Sequence, residues 1–319
     1  MPRWQILSMP MYGKSFLKGD IMCMNNTDKN QTKAMTPVIM KGAPAAERLT
    51  EELKARSEKL RAQSVVPALA ILRVGSDPSD MAYERGALKR AEKALVEIKS
   101  IVLPENASEQ DILAEIEKIN ADDSIHGCLM FRPLKNKETE KRAAEMLDPK
   151  KDVDCMTLSS QAAVYTGNRE CGFAPCTAEA VIELLKYYNI EIFGKNAVVL
   201  GRSQVIGKPA AMLLLEENAT VTVCHSKTKD LEEICKKADI IVAAMGRAEM
   251  ISEEYLSAGQ TIIDVGINVG ADGKMCGDVK GSAKEAFAAK YTPVPGGVGS
   301  MTSTILMKHV IEAAERTVV

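Results

Sequence analysis

The feature that most constrains this chain is a set of four short apolar runs in its C-terminal half, each leading through a turn into a helix-like segment. They are Asn196-Ala197-Val198-Val199-Leu200, Thr220-Val221-Thr222-Val223-Cys224, Asp239-Ile240-Ile241-Val242-Ala243-Ala244 and Thr261-Ile262-Ile263-Asp264-Val265. Runs so apolar suit buried strands, and helices between strands supply right-handed crossovers. The pattern predicts an α/β fold on a parallel sheet.

The N-terminal half repeats the alternation. Helical spacing from Pro44 to Ala62 precedes a buried strand over Pro67–Gly75. Gly75-Ser76-Asp77-Pro78-Ser79-Asp80 then reads as a turn and a helix start, with Ser79 or Asp80 able to cap a helix beginning near Met81. A short strand follows at Ile98–Leu103, a helix opened by Ser108-Glu109-Gln110-Asp111, and a strand over Gly127–Phe131. A helix from about Cys176 to Tyr188 leads into the second series, and a helix-like run from Met301 closes the chain. At roughly 100–200 residues per domain, two domains are expected.

Composition narrows the partners. The 319 residues carry 41 Lys+Arg against 43 Asp+Glu, a net charge of -2. That leaves no broad field for nucleic acid or an anionic membrane, so a small molecule held in a cleft is expected. No apolar run reaches the roughly 18 residues of a spanning helix. The eight cysteines never form Cys-x-x-Cys, and none of the three histidines stands at zinc-site spacing, so no metal is expected. Thiols inside apolar runs, such as Cys224, fit a reducing cytoplasm. The polar, aperiodic residues 1–34 read as a disordered leader.

Gly201-Arg202-Ser203-Gln204-Val205-Ile206-Gly207-Lys208-Pro209 lies between a buried strand and a helix, where a dinucleotide-binding fold places its pyrophosphate against helix N-terminal N–H groups. The spacing departs from Gly-x-Gly-x-x-Gly, with Ser203 at the second glycine and Gly207 one residue late. By itself this loop is also compatible with a plain strand-to-helix turn. At the end of the next strand an NAD site wants Asp or Glu, whereas this chain has His225-Ser226-Lys227-Thr228. With Arg202 in the loop, these residues favour a 2′-phosphate and therefore NADP.

Gly201-Arg202-Ser203 with Val205 to Pro209, Cys224 to Thr228, Ile263 to Asn268, Gly277-Asp278-Val279 and Thr292 to Gly299 together resemble the bifunctional methylenetetrahydrofolate dehydrogenase/cyclohydrolase family, from about Met35 onward. The resemblance implies two α/β domains around a cleft, the second a Rossmann-like NADP-binding domain, and a homodimer. The folate-binding catalytic domain would span 35–175 plus 300–319, and the NADP domain 176–299. It also implies NADP-linked oxidation of 5,10-methylenetetrahydrofolate to the 5,10-methenyl cation, then hydrolysis to 10-formyltetrahydrofolate.

Carried over residue by residue, the resemblance places Tyr83 against the folate aminobenzoate and Asp154 on the pterin, both within the catalytic set. Pro295, Gly296 and Gly297 would line the junction of folate and nicotinamide. The cofactor set would be Gly201, Arg202, Ser203, Val205, Gly207, His225, Ser226 and Ile267. Two positions depart from the family pattern. Ala87 stands where Tyr-x-x-x-Lys has its catalytic lysine, and Phe131 replaces the glutamine that bonds it. Hydride transfer chiefly needs alignment, but hydrolysis needs a general acid/base. The expectation is therefore a dehydrogenase with weakened or relocated hydrolysis, Lys89, Arg90 or Arg132 being the cations that could substitute. A fully bifunctional enzyme and a catalytically silent NADP- and folate-binding paralogue are the alternatives.

Overall fold

The computed structural model describes residues 36–318 apart from Ala271, so the expected leader lies outside the described residues. A three-stranded parallel sheet has the order Glu97–Leu103, Ala68–Val74, Gly127–Met130. Side chains alternate across its central strand, so the strand feeds two cores. Leu69 and Ile71 join the cluster containing Leu53, Ala87 and Ile305, while Ala70 and Leu72 join the one containing Ile112, Ile116 and Ala143. The first face carries the helices Gly42–Ala62, Pro78–Ala94 and Thr302–Glu315; the second carries Glu109–Ala121 and Lys137–Met146.

The helix Pro78–Ala94 is capped by Asp77 rather than by Ser79 or Asp80: the Asp77 carboxylate accepts from the backbone N–H of both. Pro78 then sits at the first helical position, where its missing N–H costs nothing. A buried ion pair, Arg73 Nε to Glu84 at 3.0 Å, ties this helix to the central strand, and Ser100 donates to the same carboxylate at 2.9 Å. The helix Glu109–Ala121 opens on the expected Ser108, paired with Asp111 in a capping box.

The second sheet is parallel throughout, in the order Val38–Ile39, Ala288–Tyr291, Gln260–Asp264, Ile240–Ala243, Asn196–Leu200, Thr220–Cys224. The four apolar runs are its contiguous strands. From Asn196–Leu200 the chain steps to one neighbour and then to the other, which makes the carboxyl end of that strand the topological switch point where open α/β sheets bind ligands. Two strands escape the sequence pattern. Ala288–Tyr291 has weak strand propensity, and Val38–Ile39, within the segment expected to open the folate domain, pairs instead with Lys290 and Tyr291 of the second sheet. Gly42 N–H further donates to the Gly296 carbonyl at 2.8 Å, stitching the start of the first helix to the glycine segment.

Candidate active site

A cavity of about 650 Å³ opens at the carboxyl ends of the three-stranded sheet, lined by Gly75, Asp77, Glu105, Glu109, Phe131 and Arg132 among others. Phe131 belongs both to this cavity and to the surroundings of Tyr83, and Arg132 both to this cavity and to those of Asp154. The Tyr83 and Phe131 rings meet edge to face, with centroids 5.9 Å apart at 86°. Burial, then the nearby Cys176 and Asp154, raise the Tyr83 phenol well above its ordinary pKa, while a hydrogen bond with Thr302 works the other way.

Asp154 owes its position to its neighbours along the chain. Lys151 Nζ donates to the carbonyls of Ile119, Asn120 and Asp122 at 2.7, 3.0 and 2.8 Å, closing the C-terminus of the helix Glu109–Ala121. Asp152 is fully buried and accepts from the N–H of Met156 and Thr157 at 2.8 and 2.7 Å. The turn continues through Cys155 in the left-handed region at φ 58°. This leaves Asp154 with a side chain 30% exposed, accepting from Cys176 N–H at 3.2 Å, with Arg132 Nη2 4.0 Å away. Burial raises its pKa, opposed by Cys176 and by Arg132. It is an acceptor turned outward with a cation beside it.

Neither altered position offers a polar group to the site. Ala87 is fully buried in the core, one helical turn from Tyr83, and the Phe131 ring packs against the same cluster. Lys89 is exposed and lines neither large cavity, so the expectation of a catalytic role for it finds no support here. It stands about 120° around the helix from Tyr83 at 100° per residue. Arg90 returns to the Tyr83 face but is drawn to Thr50 Oγ1 at 2.8 Å, on the helix Gly42–Ala62. Of the substitute cations, Arg132 alone reaches the site.

At the switch point a second cavity of about 490 Å³ gathers Gly201, Arg202, Ser203, His225, Ser226 and Arg247. The backbone is packed to the limit there. Gly201 has φ 121°, and a Cβ on it would lie 2.2 Å from the Ala244 carbonyl oxygen; one on Gly207 would lie 2.3 Å from that of Gly201. Ser203 Oγ accepts from the N–H of Ile206 and Gly207 at 3.1 and 3.3 Å, which modifies the expectation of free N–H groups at this helix start. The Ser203 hydroxyl keeps its own proton for donation. His225 Nδ1 accepts from Lys227 N–H at 3.2 Å, which puts the neutral ring's proton on Nε2. Val205 and Ile267 are exposed, and Ile267 lines a third cavity of about 220 Å³ with Pro295, Gly296 and Gly297.

Two buried carboxylates hold these loops, and sequence reading missed them because nothing in a strand-end Asp reveals its partners. Asp264 accepts from the N–H of Asp278 and Val279 and from Lys284 Nζ at 2.9 Å. Asp278 accepts from the N–H of Met245, Gly246 and Arg247 and from Asn268 Nδ2. A Cβ on Gly277 would fall 1.9 Å from Asp264, and one on Gly266 2.2 Å from Asp278, which explains glycine at both positions. The structure also places Asp230 and Glu232 on the wall of the second cavity.

A tightly packed glycine turn at the switch point of one sheet suits a dinucleotide, and a separate sheet carries an acid, a cation and a tyrosine close together. Comparison with known proteins agrees. Residues 40–154 match the model described as "Tetrahydrofolate dehydrogenase/cyclohydrolase, catalytic domain", and 175–318 match its "NAD(P)-binding domain". The chain is 49% identical over 276 residues to "Bifunctional protein FolD" of Carboxydothermus hydrogenoformans, covering 86% of this chain and 96% of that protein. It superposes on the bifunctional FolD crystal structure from Campylobacter jejuni with TM-score 0.84 and 35% identity, covering 88% and 99% of the two chains. For the FolD of Trypanosoma brucei, solved with NADP and an inhibitor, the TM-score is 0.82 and the identity 32%, with 89% and 99% covered. Two matching domain models and this identity across nearly the whole of each relative establish that the chain belongs to the tetrahydrofolate dehydrogenase/cyclohydrolase family.

Proposed function

We propose that this enzyme oxidises 5,10-methylenetetrahydrofolate with NADP and releases 5,10-methenyltetrahydrofolate largely unhydrolysed. One observation carries the reading: among the described residues no proton-transferring lysine stands beside Tyr83. Ala87 is sealed in the core, and Phe131 covers the neighbouring space with an apolar ring. Asp154 holds the pterin edge, with Arg132 balancing its charge. Tyr83 packs on the aminobenzoate, and Pro295-Gly296-Gly297 forms the floor where the reacting carbon meets the cofactor. NADP, when bound, supplies the hydride acceptor. The residues align donor and acceptor and ask little of a proton shuttle, which is why oxidation survives where hydrolysis does not.

Arg202, Ser226 and the added Arg247 support NADP, since guanidinium and hydroxyl groups suit a phosphate. Asp230 and Glu232 on the same wall favour a second reading, NAD with its ribose hydroxyls bound by a carboxylate. Comparing kcat/KM for the two cofactors decides between them. The main test mixes enzyme, NADP and methylenetetrahydrofolate and follows NADPH and methenyl absorbance separately. Methenyl accumulating with NADPH supports the reading; rapid loss of methenyl refutes it.

The resemblance further supports a homodimer, which would cover the open sheet edge at Glu97–Leu103, where Val102 is 54% exposed. Sedimentation velocity tests this. Seven free cysteines among the described residues support a cytoplasmic location, and no described helix is long and apolar enough to cross a membrane.

A further inference from the structure

Behind Asp154 lies a buried ionic cluster that the proposed chemistry does not use. Glu179, on the helix Cys176–Tyr187, accepts from Arg169 at 2.5 Å, Lys308 at 2.7 Å and His309 Nε2 at 3.1 Å. His309 is completely buried, and its Nδ1 lies 2.8 Å from the Val153 carbonyl. Both ring nitrogens thus face oxygens, one a carbonyl that can only accept. Two further cations on Glu179 keep it a carboxylate, so it accepts as well, and the ring carries both protons. The ring also stacks on Phe173, with centroids 4.9 Å apart, and approaches Cys176 Sγ at 3.8 Å. Val153 precedes Asp154, and Cys176 N–H is a donor to Asp154. One imidazole therefore touches both sides of the Asp154 anchorage.

We propose that His309 is a positioning residue for folate: donating to the Val153 carbonyl while held by Glu179, it fixes the turn that presents Asp154 to the pterin. The inference rests on the reading that Asp154 binds folate. Burial works against a charged His309, but Glu179 outweighs it and raises its pKa. Burial likewise opposes charge on Glu179, and His309, Lys308 and Arg169 outweigh it, holding Glu179 well below its ordinary pKa. The charged and titratable groups facing the pair are Cys176 and Glu183 from the Glu179 helix, Arg169 from the preceding turn, Asp152 and Asp154 from the loop, Glu216 from the helix Gly207–Glu216, and Lys308 and Glu312 from the histidine's own helix. As pH rises through its raised pKa the imidazolium loses a proton, and one of its two bonds goes with it.

The experiment measures KM for methylenetetrahydrofolate and for NADP, with kcat, from neutral to alkaline pH. In the unmodified enzyme the folate KM should rise on the alkaline side while the NADP KM stays flat. His309→Gln should raise the folate KM roughly tenfold at neutral pH, the size of one lost charge-assisted bond, and abolish the alkaline rise. Its kcat and NADP KM should stay within about twofold of the unmodified enzyme. Glu179→Gln should move the alkaline rise to lower pH, because the imidazolium loses its carboxylate. A folded His309→Gln with unchanged folate KM, or one in which both KM values rise together, overturns the proposal. If that variant does not fold, an unmoved alkaline limb in Glu179→Gln overturns it. Should neither fold, a flat folate KM in the unmodified enzyme does so. Failure of the unmodified enzyme to oxidise methylenetetrahydrofolate would refute the underlying reading instead.

Discussion

The cofactor side and the folate side of this enzyme are built by different means. Around Gly201, Gly207, Gly266 and Gly277 the fit is set by backbone, and a single methyl group would collide with a carbonyl or a carboxylate. Around Tyr83 the surroundings are side chains projecting from a helix, a strand end and a turn, and two of these, Ala87 and Phe131, carry no polar group. A site made of backbone tolerates almost no substitution, whereas one made of side chains can lose a reaction and keep its shape. On the proposed function, binding and hydride transfer persist while hydrolysis is weakened.

The largest effect tests that asymmetry directly. Methenyltetrahydrofolate should hydrolyse at little more than the buffer rate with the unmodified enzyme, and Ala87→Lys with Phe131→Gln should raise hydrolysis by roughly 10²–10⁴-fold, the usual worth of a positioned acid/base. Ala87→Lys alone should do much less, because its ammonium would be desolvated against the Phe131 ring. Additive single effects would show that the positions do not act as a pair.

Asp154→Asn comes next, exchanging a charge-assisted contact for a neutral one at about 1.5–3 kcal/mol, or roughly 10–100-fold in folate kcat/KM. NADP affinity, measured by calorimetry, should hardly change. Equal losses for both ligands would erase the distinction between the two sides.

On the cofactor side, Gly201→Ala should weaken NADP binding at least roughly tenfold, since it combines a disfavoured backbone with a steric clash, together of order 1–3 kcal/mol. Wild-type affinity would show that this loop is not packed as described. Arg202→Ala should raise KM for NADP several-fold more than KM for NAD. Equal effects on the two would mean that Arg202 only braces the turn.

The smallest effect is on stability. Glu179 has a folded pKa below its unfolded value, so its contribution is complete above that unfolded value, about 4.3, and is lost as pH falls. His309 has a raised folded pKa, so its contribution is complete below about 6.5 and is lost as pH rises through the folded value. Thermal unfolding should therefore show a plateau in Tm between these limits. Glu179→Gln should lower that plateau by a few degrees and remove much of its acid shoulder; an unchanged profile would show that the cluster adds no net stability.

What the sequence determined by itself is local in origin. Four apolar runs separated by helical segments are enough for a parallel sheet, because strand burial and crossover handedness leave few alternatives. The cleft loops were legible for the same reason: glycine, Arg202 and Ser203 next to a buried strand constrain the backbone whatever packs nearby. Ala87 and Phe131 could be read as departures from a pattern, but only the packing showed that both close against Tyr83. Tertiary structure alone decided the rest. It drew Arg90 to Thr50 and left Lys89 in solvent, and it added Val38–Ile39 to the far edge of the second sheet. It also buried Glu179 with three cations contributed by distant parts of the chain. Such placements depend on contacts between residues far apart in sequence, and the energy of a buried charge is set by its whole surroundings rather than by its neighbours along the chain.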